Sequence, residues 1–534
     1  MNEVGIKYKR SSSNDLVPVV DLFAGPGGLS EGFSSLTVNN EAFFRIGLSI
    51  EKEKNAHSTL ELRSFFRQFS PNERPDDYYR FLKQEISIDE LYTRYPSQYK
   101  KASSEAKLAA LGKNTNEDII DQWIHDSLQG KEHEWVLIGG PPCQAYSIAG
   151  RSRNKGISGY NPEEDDKHYL YENYLGIIAR HWPSIFVMEN VKGILSSKVG
   201  GNRIFAKILN DLRDPGKANG TDRKFKYNIY SLVISGALEN GHDNKYIIKS
   251  EEYGIPQARH RVILLGVRDS IEFEQLIPDS LNPIKDRTTT WDVISDLPRI
   301  RSGLSRAKGS MSWIKAMNQI KSSQWINCIT DEERDMVLKK LDELNREYPH
   351  LQELGSPYMN VGKPMNHALC DWFRDERMTG VCNHITRNQM QGDLHRYFFA
   401  ACFAKLHKKS ITLKDLPRLL LPEHKNVNEA LQSKSMFNDR FRVQLPIKPS
   451  TTITSHIAKD GHYYIHPDPI QCRCLSVREA ARLQTFPDNY FFCGSRTSQY
   501  VQVGNAVPPK LAQQIARIVS KLIVESREIL KNHG

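Results

Sequence analysis

The stretch Val17-Pro-Val-Val-Asp-Leu-Phe23, followed directly by Ala24-Gly-Pro-Gly-Gly-Leu-Ser-Glu-Gly32, decides the fold of this chain. Its first half is an apolar run ending at an acid; its second is a glycine turn that opens into a helical pattern. Strand, glycine turn and helix form the opening unit of a doubly wound α/β domain, with the ligand at the carboxyl end of the strand. The rhythm continues along the chain. Phe44-Arg-Ile-Gly-Leu-Ser-Ile50 ends at Glu51, Trp135-Val-Leu-Ile138 runs into Gly139-Gly-Pro-Pro-Cys143, and Ser184-Ile-Phe-Val-Met188 runs into Glu189-Asn-Val191. Tyr227–Val233 and Arg261–Val267 add two further strands. Apolar strands that each end at a polar or glycine cluster predict a largely parallel sheet with its site along one edge.

Between 65 and 130 the pattern turns polar and helical, which reads as a helical insertion between the second and third of these strands. From 301 to 470 the strand rhythm gives way to charged helices, such as Asp331 to Glu347, and aromatic clusters, so a second domain is expected there. The core pattern resumes at Leu475-Ser-Val-Arg-Glu-Ala-Ala-Arg-Leu-Gln484 and closes with a helix over Lys510–Lys531. The expected division is therefore 1–300, 301–470, and 471–534 returning to the first unit.

Composition narrows the class. Among 534 residues no segment has the ~18 consecutive apolar residues of a membrane span, and the first residues lack the apolar core of a secretory signal. A cytoplasmic protein with no membrane partner is expected. Eight scattered Cys suit a reduced compartment rather than a disulfide scaffold. The spacing of His367, Cys370, Cys382 and His384 is not a common zinc pattern, so these read as core residues and no metal is expected. The net charge of +10 favours an anionic partner, nucleic acid first.

Four clusters carry chemistry. The glycine turn lacks the Lys-Ser/Thr of a phosphate loop, and Glu51, at the end of the next strand, suits ribose hydroxyls. The plainer reading is a pair of tight turns. Cys143 follows two rigid prolines at a strand end and precedes a basic stretch, Arg151-Ser-Arg-Asn-Lys155. A buried structural cysteine is the ordinary alternative, but cationic surroundings favour the thiolate a nucleophile needs. Glu189, at the neighbouring strand end, can hydrogen-bond a heterocycle and share a proton with it; an ordinary cap or salt bridge is the other reading. Gln257, Arg259 and Arg261 alternate, so an extended chain puts them on one face, either facing a ligand or as a solvated basic edge.

In identity and order these clusters resemble the DNA (cytosine-5) methyltransferase family of the bacterial restriction-modification type. Asp21-Leu-Phe-Ala-Gly-Pro-Gly-Gly28 is similar to its cofactor loop, Pro141-Pro-Cys-Gln144 to its nucleophile motif, and Glu189-Asn-Val191 to its cytosine-binding motif. Gln257-Ala-Arg-His-Arg261 resembles its paired arginines. Arg478-Glu-Ala-Ala-Arg-Leu-Gln-Thr-Phe-Pro487 and Gly504-Asn-Ala-Val-Pro-Pro509 resemble its last two motifs. The likeness spans residues 17–50, 135–300 and 443–520.

The resemblance implies a class I S-adenosylmethionine-dependent methyltransferase with a Rossmann-like fold. It implies Asp21, Leu22, Phe23, Gly25, Gly28, Glu51, Gly140, Pro142, Leu170, Asn505 and Val507 around S-adenosylmethionine, with Phe23 against the adenine and Glu51 on the ribose. It also implies Cys143, Glu189, Arg259 and Arg261 as catalytic. Cys143 would add to C6 of cytosine, Glu189 would stabilise the adduct at N3, and Arg261 would sit near O2. The base must then be flipped out of the duplex, with the 144–167 segment closing over it. Two departures stand out. Lys52 occupies a position where some family members carry an aromatic that packs on the adenine, and the insertion hides the acid for the adenine amine, for which Asp118 is a candidate.

The 301–470 region corresponds to the target-recognition domain, and Lys448-Pro-Ser-Thr-Thr-Ile-Thr-Ser455 resembles a signature near its end. A monomer acting on double-stranded DNA, with a cognate restriction endonuclease as partner, is the expectation. A tRNA cytosine methyltransferase would carry a smaller recognition region. A catalytically silent DNA-binding relative would have lost Cys143 or Glu189. If Lys408 and Lys409 meet phosphates, replacing both with Ala weakens cognate and scrambled duplexes equally, and each lost contact flattens log affinity against log salt by ~0.9. An unchanged slope removes both lysines from the DNA footprint.

Overall fold

Alternation along the strands builds the layers. The computed structural model describes residues 16–112, 115–142, 169–199, 202–221, 224–236, 243–305, 312–362, 367–423, 427 and 439–533. In β1 (Val17–Leu22), Val17 and Val19 pack into the apolar layer on one side of the sheet, and Val20 and Leu22 into the layer on the other. Val136 and Ile138 of β4 (Val136–Gly139) and Ile185 and Val187 of β5 (Ile185–Val191) join the first layer, while Leu137, Phe186 and Met188 join the second. Successive side chains of a strand point to opposite faces. A strand covered on both sides therefore reads as an unbroken apolar run, which is why these segments stood out in the sequence.

The other sheet strands are β2 (Phe44–Glu51), β3 (Ala106–Leu108), β6 (Tyr227–Ser231) and β7 (His260–Arg268). Their order across the sheet is β3-β2-β1-β4-β5-β7-β6, with the short strand Ile247–Lys249 also paired to β7. The pairs from β3 to β5 are parallel, and β7 is antiparallel to both of its neighbours. The sheet is thus largely parallel and doubly wound, as expected. One expectation needs correcting. The 65–130 insertion is not wholly helical, because Ala106–Leu108 adds a strand at the sheet edge. Three residues are too few for a visible period-two pattern, so helical neighbours masked them.

Helices cover both faces. α1 (Gly28–Ser34) and α9 (Pro509–His533) lie on one side, and α3 (Glu117–Leu128) and α4 (Tyr169–His181) on the other. α2 (Lys54–Arg67) leads into the insertion, whose own small core includes Phe65, Tyr78, Leu91 and Ala102. Cys382, from the far side of the chain, joins that core. Around α5 (Asp331–Glu347) and α6 (Gln391–His407) a separate apolar cluster forms, with Trp325, Leu341, Phe398 and Phe403 among its members. α5 begins at a capping box in which Thr330 and Glu333 satisfy each other's backbone donors. A hairpin of Gly355–Asn360 and Gly380–Ile385 supplies strands that the sequence rhythm did not announce.

The chain's return is locked by charge. α7 (Val477–Leu483) starts at a Ser476–Glu479 capping box. Glu479 also takes a two-pronged pair from fully buried Arg473, at 2.6 and 2.7 Å. Burial favours the protonated acid, yet Arg473 and His466 hold the Glu479 carboxyl well below its usual range. Arg478 donates to the carbonyls of Cys382, Pro487 and Tyr490, and so ties the hairpin to the returning segment. Removing one partner of a buried pair costs far more than the pair contributes. Glu479→Gln should therefore lower the unfolding free energy by about 3–5 kcal/mol in urea titrations. Lys521→Ala, which breaks an exposed pair with Asp279, should cost less than about 1 kcal/mol.

Candidate active site

The order of the sheet reverses between β1 and β4, and the crevice at such a switch point is where an open α/β sheet binds its ligand. After β1 the chain turns through Phe23, whose φ is +58°, and Gly25 N–H donates to Glu51 Oε2 at 2.8 Å. Glu53 N–H donates to the other oxygen of Glu51, also at 2.8 Å. The carboxylate at the end of β2 thus fastens the loop to the neighbouring strand. Gly28 is where α1 begins, and a Cβ there would stand 2.2 Å from the carbonyl oxygen of Val507. Val507 is buried, and Asn505, at the end of α8 (Arg496–Asn505), is exposed.

The loop residues separate by depth. Leu22 is wholly buried in the core beneath the turn. Asp21 is buried too, and accepts the Ser30 hydroxyl at 2.5 Å through Oδ2. Its Oδ1 has no hydrogen-bond partner. Burial pushes the Asp21 carboxyl up to about 7 against the opposing effect of Ser30. Phe23 and Leu170 are half-buried.

The ends of β4 and β5 meet beside this loop. A Cβ on Gly140 would lie 3.0 Å from Glu189 Oε2, and Asn190 Nδ2 donates to the Pro141 carbonyl at 3.3 Å. Pro142 is half-buried. Cys143 and the rest of 143–168 lie outside the described residues. Arg261 reaches across from β7, its Nε 2.8 Å from Glu189 Oε1. The N–H is not aligned on that oxygen, so the contact is Coulombic rather than a directed hydrogen bond.

The three alternating residues part company. The chain does not stay extended through Arg259, whose N–H donates to the Gln257 carbonyl at 2.9 Å. Gln257 is buried, donates to the Leu483 carbonyl and Gln484 Oε1, and accepts from Ile453 N–H. Arg259 is buried as well, bonded to the carbonyls of Ile453 at 2.8 Å and Gly504 at 3.3 Å. Burial, with Arg261 adjacent, holds its guanidinium well below the usual arginine range. The structure thus brings Arg261 to Glu189, and sets Arg259 to join β7 to the returning chain. Neither Gln257 nor Arg259 belongs to a solvated edge.

Asp118 is exposed in the first turn of α3, 3.3 Å from Asn116 Nδ2. Both ring nitrogens of His384 are engaged, with Ser476 Oγ and the Pro298 carbonyl, and burial brings its imidazole down to about 4. Among the described residues no three His, Cys, Asp or Glu side chains cluster to hold a metal ion. Lys409 pairs with Asp415 at 3.5 Å. The sequence reading passed over Asn190 as a tether and Tyr490 as a loop contact. The second was visible only as a tyrosine in an aromatic run, Phe486-Pro-Asp-Asn-Tyr-Phe-Phe492.

Sheet order, reversed seventh strand and switch-point loop together define the class I S-adenosylmethionine-dependent methyltransferase fold. The same fold is found in the crystal structure of a protein proposed to be a DNA modification methyltransferase, encoded within an E. coli prophage (TM-score 0.51, 17% identity, 95% of this chain and 99% of that one). The family model for C-5 cytosine-specific DNA methylases matches residues 104–521, and the chain belongs to that family as a DNA (cytosine-5)-methyltransferase. It is 33% identical to the type II methyltransferase M.Bpa9945I of Bacillus paralicheniformis over 530 residues, 95% of this chain and 99% of that one. It is 24% identical to M.OihORF3336P of Oceanobacillus iheyensis, itself a proposed type II methyltransferase, over 97% and 98% of the two chains. Among the described residues no helix is long and apolar enough to cross a membrane.

Asp21 gives a pH test. Its folded-state value is raised from 3.8 to about 7, so the folded chain binds this proton more tightly than the unfolded chain does. Its stabilising contribution is full below about pH 4 and is lost as the pH rises through about 7. Urea midpoints of the wild type should therefore fall relative to those of Asp21→Asn between pH 4 and 7. Parallel curves would mean that Asp21 titrates as an ordinary surface acid.

Proposed function

We propose that the enzyme methylates C5 of a cytosine flipped out of double-stranded DNA, with Cys143 as the nucleophile. The observation that carries this reading is the meeting of two strand ends. Gly140 lies against Glu189, Pro141 accepts from Asn190 and Arg261 lies on Glu189, and these are the residues that immediately precede Cys143 in the chain and the pair that the reading assigns to the base. Cytosine C5 is a poor nucleophile. Addition of the Cys143 thiolate to C6 makes C5 electron-rich, and Glu189 holds the proton at N3 that keeps this adduct neutral. Arg261, free of a directed bond to Glu189, is available to the O2 carbonyl. Once C5 has taken the methyl group, its proton passes to a base and the C5–C6 double bond re-forms as the cysteine leaves. A stacked base cannot be reached from one side in this way, hence the flip.

The loop suits S-adenosylmethionine on its own geometry. Nothing lies within 4 Å of where a Cβ on Gly25 would stand, so the turn borders open space, with Phe23 and Glu51 at its sides. When bound, that group supplies the methyl from its sulfonium. Phe23 and Glu51 would hold the adenine and ribose, with Gly25, Gly28, Gly140, Pro142, Leu170, Asn505 and Val507 completing the pocket. The type II names of the relatives support a role in protecting host DNA beside a cognate restriction endonuclease.

A duplex carrying 5-fluorocytosine should trap the wild type covalently, because fluorine cannot leave as the C5 proton does. Cys143→Ser should trap nothing and methylate nothing, yet keep cofactor affinity within about threefold, a difference of under 1 kcal/mol. Trapping at another cysteine, read by peptide mass, would overturn the assignment. Bisulfite sequencing of DNA from expressing cells would give the target sequence.

A further inference from the structure

Gly27, beside Gly28, is a second crowded point of the cofactor loop. Its φ is +92°, and a Cβ there would stand 2.8 Å from Leu60 Cδ1 and 2.9 Å from the Tyr490 hydroxyl. Two side chains therefore close on the turn, one from α2 and one from the segment after α7. Leu60 contributes packing alone. Tyr490 donates its hydroxyl to the Pro26 carbonyl.

The tyrosine is built in from all sides. Its ring is fully buried, with the rings of Phe486 and Phe492 at 4.8 and 5.5 Å between centroids. The Arg63 guanidinium lies 4.8 Å from its centroid. Arg63 is in turn fixed by Glu31 of α1, at 2.5 and 2.8 Å, and donates to Asn489 Oδ1 at 3.1 Å. Asn489 Nδ2 donates to Asp375 Oδ2 at 2.7 Å, an oxygen that also accepts the Tyr79 hydroxyl at 3.0 Å. α1, α2, the insertion and the 301–470 region thus meet around the tyrosine ring and its neighbour Asn489, and the hydroxyl oxygen is left to the Pro26 carbonyl. Packing does not require that oxygen, since phenylalanine would fill the same space. A buried hydroxyl is costly unless it is bonded, so its partner is the reason for it. Burial pushes the phenol above its usual range, which keeps it a donor.

We propose that Tyr490 is a positioning residue for the cofactor loop, its hydroxyl holding the Pro26 carbonyl and so fixing the turn that presents Phe23 and Gly25. The assignment rests on reading that loop as the S-adenosylmethionine site. Removing the hydroxyl leaves the ring packing intact and frees the turn to shift.

The test is calorimetric titration of the full-length wild type, Tyr490→Phe and Leu60→Val with S-adenosylhomocysteine, together with steady-state kinetics and thermal unfolding. The Tyr490→Phe Kd should rise about tenfold, as the loss of one buried hydrogen bond predicts. KM for S-adenosylmethionine should rise with it, by more than kcat falls. Leu60→Val, which trims packing on the same glycine, should shift Kd by less than about twofold. If the wild type binds no S-adenosylhomocysteine, the reading of the loop fails and the proposal with it. If the wild type binds and Tyr490→Phe binds equally well, the loop reading stands and Tyr490 has no positioning role. A Leu60→Val shift as large as that of Tyr490→Phe would also overturn the proposal, because packing and not the hydroxyl would then set the loop.

Discussion

The carbonyl oxygen of Val507 occupies the space that any side chain at Gly28 would need. That close approach joins the turn after β1 to a segment almost 480 residues later, and much of the molecule depends on it. It lets α9 lie along α1, where a Cβ on Gly32 would meet Ala512 at 2.3 Å. Leu511, Ile515, Val519 and Leu522 of α9 then complete the apolar layer over β1, β4 and β5. Without the returning helix one face of a sheet that is apolar on both sides would stand in water, and burial of such surface is the main stabilising term in folding. The returning chain also sets Val507 against Gly28 of the loop, so one packing constraint both closes the core and borders the crevice.

Charge does the rest of the joining. Arg473, Arg478 and Arg482 are buried around α7, and each finds either a carboxylate or several carbonyls. Such pairs add little net stability over an apolar core, but breaking one leaves a charge with no solvent. They therefore favour a single arrangement of the 301–470 region against the returning segment. Arg259 belongs with them. Its carbonyl partners, Ile453 and Gly504, lie on the two segments that flank the return, while Arg261, two residues on, is left to the carboxylate of Glu189. The local turn at Arg259 is what separates the two roles.

Most of the sheet was legible in the sequence because β1, β2, β4, β5 and β7 are apolar runs long enough to show, and the first four carry a glycine or an acid at or near their carboxyl ends. The glycine turn, Glu51, Pro141-Pro142 and Glu189 could be read for the same reason: strand ends and turns have local chemical signatures. The strand Ala106–Leu108 and the hairpin at 355–385 were not legible, because segments this short or half-exposed gain their conformation from a partner strand and not from their own pattern. The sequence by itself thus determined the fold class, the order of the clusters and the kinds of side chain at the crevice, all consequences of local periodicity and turn chemistry. Only the tertiary structure decided which of these residues meet: that Arg261 and not Arg259 faces Glu189, that Gly28 receives Val507, and that Tyr490 reaches Pro26. Contacts between segments hundreds of residues apart are fixed by how buried faces and buried charges are jointly satisfied, and no local stretch of chain carries that information.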